Sequence, residues 1–163
     1  ENPPGFGNGW EAYPSSLRIV NWIKWSLLGN SFEQGSLDSL AIQVRYLSSN
    51  VETHLLGNHI FSNAKALLFA GLFFKGKEAD YWYQIGLNII NKELPEQVLS
   101  DGGNFELSPM YHAIFLEDLL DLVNIHQVYN KRLATDIQST ILSMFGWLKT
   151  MCHPDGEISF FND

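Results

Sequence analysis

Apolar side chains return along this chain with a period near 3.6, and no stretch sustains the period-two alternation of a strand. Leu17, Val20, Ile23 and Leu27 make one stripe, and Leu37, Leu40, Ala41, Val44, Leu47 and Val51 a second. From His59 to Phe74 the pattern is apolar nearly all round, which predicts a helix enclosed by its neighbours. Trp82, Ile85, Ile89 and Ile90 mark a fourth helix, Ala113 to Val123 a fifth, and Ile137, Ile141, Phe145 and Leu148 a sixth. Breakers fall between them: Gly29-Asn30-Ser31, Gly57, Lys75-Gly76-Lys77, Pro95, Asp101-Gly102-Gly103, Ser108-Pro109 and Pro154-Asp155-Gly156. The expected fold is all-α, three antiparallel helical hairpins in one domain spanning 1–163.

The loops alternate in character. Those after the first, third and fifth helices are short and plain. Those before the same helices, and after the sixth, are richer: Gly5-Phe6-Gly7-Asn8-Gly9-Trp10-Glu11, Leu56-Gly57-Asn58-His59, the stretch from Ser100 to His112, and the stretch from His153 to Asp163. In a stack of hairpins every second loop lies at the same end. The rich loops are therefore expected together, beside helix N-termini, whose free N–H groups and positive dipole ends suit an anionic ligand.

Composition narrows the reading. The 163 residues are 45% hydrophobic and 17% charged, enough for a substantial core. Ten Lys+Arg against 18 Asp+Glu give a formal charge of −8, which argues against a nucleic-acid partner. Cys152 is the only cysteine, so an intramolecular disulfide and a cysteine zinc cluster are excluded. The greasiest run, Ala66 to Phe74, has nine residues, far short of the roughly 20 that span a bilayer. The opening residues carry neither the basic head nor the apolar stretch of a signal peptide, which is compatible with one already removed.

Two pairs of residues have useful chemistry. Asn58-His59 opens the third helix and Tyr111-His112 the fifth, 53 residues later. An amide or imidazole can neutralise a carboxylate and hold enolate-like charge, while a Tyr or His moves protons. Asn58 reads equally as an ordinary helix cap, and Ser108-Pro109 as an ordinary helix start. A second stripe on the first helix, Arg18, Asn21, Trp22 and Trp25, reads either as a grip for a uronic acid or as interhelical packing. Glu117, Asp118 and Asp121 are expected on a solvated face. His153 with Asp155 does not make a metal site.

Gly57-Asn58-His59 with Asn63-Ala64-Lys65-Ala66-Leu67 and Ala70-Gly71-Leu72-Phe73-Phe74 resembles the heparinase II/III-like polysaccharide lyases. So does Asp101-Gly102-Gly103-x-Phe105-Glu106-x-Ser108-Pro109-x-Tyr111-His112, running on to Glu117-Asp118-Leu119. Gly9-Trp10-Glu11, Arg18-Ile19-Val20-Asn21-Trp22 and His153-Pro154-Asp155-Gly156 extend the likeness over nearly the whole chain. The resemblance implies part of an incomplete (α/α) toroid from a bacterial lyase that cleaves uronic-acid polysaccharide by β-elimination. It implies that Asn58 and His59 neutralise the uronate carboxylate. Tyr111 would be the general acid, in some relatives also the base, and His112 would position Tyr111 or substrate. Trp10, Arg18, Trp22 and Glu106 are expected on the substrate side. No cofactor or metal is expected of these residues; where the family has a structural metal, it belongs to the C-terminal β-sandwich.

Family members run to several hundred residues with that second domain, so 163 residues read as a fragment, weak or inactive alone and prone to self-association at its uncovered edges. Asn104 and Leu107 stand where close relatives often carry His and Arg, and the arginines number three: Arg18, Arg45 and Arg132. Sulfate recognition is charge-assisted, so a lightly sulfated or unsulfated polymer is favoured, heparan-like, alginate-like or capsular. By resemblance the site of action is the periplasm or the cell exterior, with the cytoplasm left open. The alternative is a glycan-binding or polysaccharide-assembly module that kept the scaffold without the chemistry.

Overall fold

The computed structural model describes residues 3–55, 57–133 and 137–162. Leu56 and Asp163, the outermost members of two of the rich loops, lie outside the described residues. A 3₁₀ turn at Asn8–Trp10 precedes α1 (Ala12–Leu27), α2 (Gln34–Ser49), α3 (Asn58–Phe73), α4 (Lys77–Gln97), α5 (Pro109–Val128) and α6 (Ile137–Met151). Extended pairing among the described residues is confined to two isolated bridges, Val98 with Asn104 and Cys152 with Ile158. Each apolar stripe found in the sequence falls on its own helix, apart from Val51 and Phe74, which lie just past the ends of α2 and α3.

Pro95 does not break the fourth helix as expected; α4 continues to Gln97. The ring sits on the exposed side of the last turns, and Val98 N–H still reaches the Leu94 carbonyl at 3.1 Å. Proline costs a helix most in its interior, where it removes a bond and crowds the preceding turn. One turn from a terminus that cost is small against the burial of Leu94 and Ile90.

The chain divides into two compact units, Glu1–Ile90 and Asn91–Asp163, the division falling within α4. In the first unit α1 and α3 run parallel. Tyr13 stacks on His59 at 4.4 Å, and one turn further on Ser16 Oγ accepts from Asn63 Nδ2 at 3.1 Å. Helix α2 packs on both. The all-round apolar pattern of α3 is explained by its enclosure, for Ile60 through Leu72 are buried without interruption. Two glycines permit this. A Cβ on Gly71 would stand 2.6 Å from Tyr83 Cβ, and one on Gly86 would stand 2.7 Å from the Ala64 carbonyl. The backbones of α3 and α4 therefore meet with no side chain between them. Outside this core, Arg45 on α2 forms a two-pronged ion pair with Glu78 at the start of α4, at 2.5 and 2.7 Å.

In the second unit α5 and α6 are antiparallel, so the start of α5 lies beside the end of α6. Phe115, Leu116, Leu119 and Leu122 of α5 and Ile137, Ile141 and Met144 of α6 are buried.

Gly71→Ala is expected to lower stability by about 1–3 kcal/mol, because the new methyl meets a Cβ and backbone atoms that cannot swing away. Gly146→Ala, on an exposed stretch of α6 with nothing within 4 Å of its new Cβ, should raise stability by up to about 1 kcal/mol. Denaturant midpoints of the two variants check both signs.

Candidate functional site

The start of α3 is built on a left-handed residue. Gly57 takes the capping position with φ 83°, a conformation that side chains disfavour. Asn58 is thus the first helical residue and not the cap. Its amide has no hydrogen-bond partner among the described residues, and it stands half-exposed beside the unpaired N–H groups of the first turn. That end of α3 favours a negative charge by a few tenths of a kcal/mol to about 1 kcal/mol.

His59 is held on two sides. Tyr13 covers one ring face, and Nδ1 lies 3.3 Å from Glu52 Oε2, leaving the ring partly open to solvent. Glu52 is itself fixed from below. Its backbone N–H donates to Asn63 Oδ1 at 2.9 Å, and Asn63 Nδ2 reaches both Ser16 Oγ and Glu52 Oε2. Asn63 is fully buried, so this bonding is what makes an amide tolerable there. Three segments, the start of α1, the 51–55 loop and α3, are tied at one side chain. Sequence reasoning missed Tyr13, Glu52 and Asn63 as supports. Only Asn63, a polar residue in an apolar run, carried a signal.

In the second unit the motif loop folds against α6. A Cβ on Gly102 would strike the Ser143 carbonyl at 2.4 Å, and one on Gly103 would strike Trp147 Nε1 at 2.7 Å. The paired glycines are therefore a requirement of close approach beyond the turn that Asp101 makes by accepting the Gly103 N–H at 3.0 Å. Leu107 adopts φ 54°, and Ser108 caps α5 by accepting the Tyr111 N–H at 3.3 Å. Tyr111 thus stands half-buried in the first turn of α5. Asn162 Nδ2 donates to the Glu106 carbonyl at 2.9 Å, so the segment after α6 returns to the loop before α5. Within each unit the decorated loops share an end.

His112, expected to position Tyr111 or substrate, lies in the interior. It is fully buried, stacked on Trp147 at 4.4 Å; Nδ1 accepts the Asn104 N–H at 3.2 Å and Nε2 donates to the Met144 carbonyl at 3.0 Å. Both ring nitrogens are committed, so His112 cannot touch a substrate. It pins the motif loop to the start of α5 and to α6. Asn104 is buried too, with Oδ1 accepting the Glu106 N–H, so that departure from the family pattern lies in the interior, whereas Leu107 is exposed.

The expected substrate-side residues divide. Trp10 is a correction: it is buried and packed edge-on against Tyr46 at 5.3 Å, because a large ring gains more from the core than from water. Arg18 is half-buried, with Nε bonded to Gln43 Oε1 at 2.5 Å and Nη2 within 3.4 Å of Ser15 Oγ, tying α1 to α2. Partial burial lowers its proton affinity. Trp22 is half-buried against Phe32, and Glu106 is half-buried on the motif loop. Among the described residues no group of three or more His, Cys, Asp or Glu can hold a metal ion, and no helix is long and apolar enough to cross a membrane.

The helical hairpins define the class of scaffold: all-α, part of an (α/α) toroid. The sequence profile described as "Heparinase II/III N-terminus" matches residues 23–163, and the chain belongs to that family. It is 34% identical over 110 residues to a heparin-sulfate lyase of Bacteroides stercoris, a match covering 66% of this chain and 16% of that protein. It is 30% identical over 134 residues to a heparin-sulfate lyase of Pedobacter heparinus, covering 78% and 19%. The chain thus spans less than a fifth of the length of these relatives. The crystal structure of heparan sulfate lyase HepC from Pedobacter heparinus superposes with a TM-score of 0.74 at 29% identity, over 98% of this chain and 27% of that one. A crystal structure of heparinase III, 24% identical, shares the fold with a TM-score of 0.80 over 95% of this chain and 25% of its own.

Burial holds the His112 ring neutral by lowering its proton affinity, against the weaker opposing pulls of the Met144 carbonyl and Asp101; His126, buried at the other end of α5, shifts the same way. The unfolded chain takes up these protons near pH 6.5 and the folded chain does not. Stability is therefore full above about pH 6.5 and falls as pH drops below it, by up to roughly 1.4 kcal/mol per pH unit for each ring. Urea midpoints at pH 7.5, 6.5 and 5.5 should decline in that order, with the His112 ring protons titrating by NMR at lower pH than an ordinary histidine. A flat midpoint and an ordinary His112 titration would contradict this.

Proposed function

We propose that this chain forms part of the catalytic toroid of a polysaccharide lyase that cleaves an anionic uronic-acid polymer by β-elimination. The observation that carries the reading is the first turn of α3, where an Asn58 amide without a partner among the described residues and the His59 ring anchored by Glu52 stand at a positive helix end. A uronate carboxylate placed there loses part of its charge to the amide and imidazole, which acidifies the adjacent C5–H. A base removes that proton. The electron pair becomes the C4–C5 double bond as the C4–oxygen bond breaks, and the Tyr111 hydroxyl gives its proton to the departing glycosidic oxygen. His112 acts at a distance, as a positioning residue that holds the loop and helix bearing Tyr111.

The arginines support a lightly sulfated substrate. Arg18 is tied to Gln43 and Arg45 to Glu78, leaving few guanidinium forks for sulfate. The family resemblance supports a periplasmic or extracellular site of action, with the cytoplasm left open.

The test is an ultraviolet assay for unsaturated product, using the full-length parent protein with heparan, alginate and capsular uronate polymers. Tyr111→Phe should lower kcat by about 10²–10⁴-fold and Asn58→Ala by about 10²–10³-fold, with unchanged melting temperatures. No product from any polymer, or full activity in Tyr111→Phe, would refute the proposal. Binding without turnover would identify a glycan-binding module instead.

A further inference from the structure

The last two turns of α1 and the segment leading into α2 enclose a groove of about 550 Å³, lined by Asn21, Trp22, Trp25, Ser31, Phe32 and Glu33. Its volume falls within the roughly 300–1,000 Å³ typical of small-ligand sites. Phe32 lies 4.9 Å from Trp25 and 5.8 Å from Trp22, with ring planes tilted by 44° and 32°. These rings therefore brace one another without closing the groove, and Trp25 remains 44% exposed. Trp25 stands twelve residues beyond Tyr13 on α1, about 18 Å along the axis from the His59 stack.

The polar members of the lining say what fits. An Asn amide and a Ser hydroxyl flank the rings, able to donate to and accept from hydroxyl groups. Glu33 is the one charged group in the lining, and no Lys or Arg balances it. Aromatic faces suit the C–H face of a pyranose ring, and a carboxylate with no basic side chain beside it in the lining disfavours a uronate or a sulfate.

We propose that this groove is an auxiliary binding site for an uncharged pyranose unit, such as an N-acetylated hexosamine, separate from the Asn58–His59 end. The site does not depend on the lyase reading, because its signature is binding and not turnover. The experiment is isothermal titration of the chain with chitotetraose, an uncharged oligosaccharide, and with tetragalacturonate, an anionic one.

Chitotetraose should bind wild type and Gly146→Ala alike, and at least about tenfold more weakly to Trp25→Ala and Phe32→Ala. Tetragalacturonate should not bind at this groove, and Glu33→Lys should admit it. Both aromatic positions lie at the surface of α1 and its following segment, and unchanged far-ultraviolet circular dichroism will show that the variants stay folded. Absence of chitotetraose binding by folded wild type, or binding indifferent to Trp25 and Phe32, would overturn the proposal. So would binding of tetragalacturonate that Trp25→Ala weakens. Sedimentation showing a dimer that Trp25→Ala dissolves would overturn it as well, by assigning the groove to a second copy of the chain.

Discussion

A polar side chain enclosed by helices must find every hydrogen bond inside the protein, and that constraint shapes the business end of both units. Asn63 meets it in the first unit by bonding the Glu52 backbone and the Ser16 hydroxyl together. His112 meets it in the second by joining Asn104 to the Met144 carbonyl across the base of the motif loop. An orphaned buried polar group costs about 1–3 kcal/mol, so each hub accepts only a narrow set of loop positions. The half-buried residues above them, His59 in one unit and Tyr111 in the other, inherit that rigidity.

The helices were legible because enclosure leaves a periodic trace. The continuous burial of α3 and the one-sided stripe of α1 are visible in the order of apolar residues alone. The reach of α4 through Pro95 was not, since that proline's cost depends on how near the helix end lies, which neighbouring contacts decide. Motifs located the site's segments but not the direction in which each side chain faces. Tyr111 and His112 are adjacent letters, yet successive helical positions point about 100° apart, so one stays half-exposed while the other turns into the core. Trp10 and Arg18 went inward for related reasons: an indole is worth most when buried, and a guanidinium can join two helices. The supporting Glu52 and Tyr13 had no pattern to betray them, because their roles exist only once α1 and α3 lie parallel.

The first helix consequently does different work along its length. Its opening turns brace His59 and Asn63, its middle is stapled to α2 through Arg18, and its closing turns present Trp22 and Trp25 beside Phe32. A single rigid rod of that kind fixes the spacing between two surfaces without any hinge.

The enclosure of α3 also bears on how the protein is made. Synthesis delivers α1 and α2 first, and they offer α3 only part of its jacket; the remainder arrives with α4, whose backbone must seat against Gly71 and Gly86. Until α4 has left the ribosome, one side of a helix apolar all round has no cover, which is when such segments seek partners in other chains. The steps between the third and fourth helices are thus the interval in which a nascent chain of this kind most needs a chaperone.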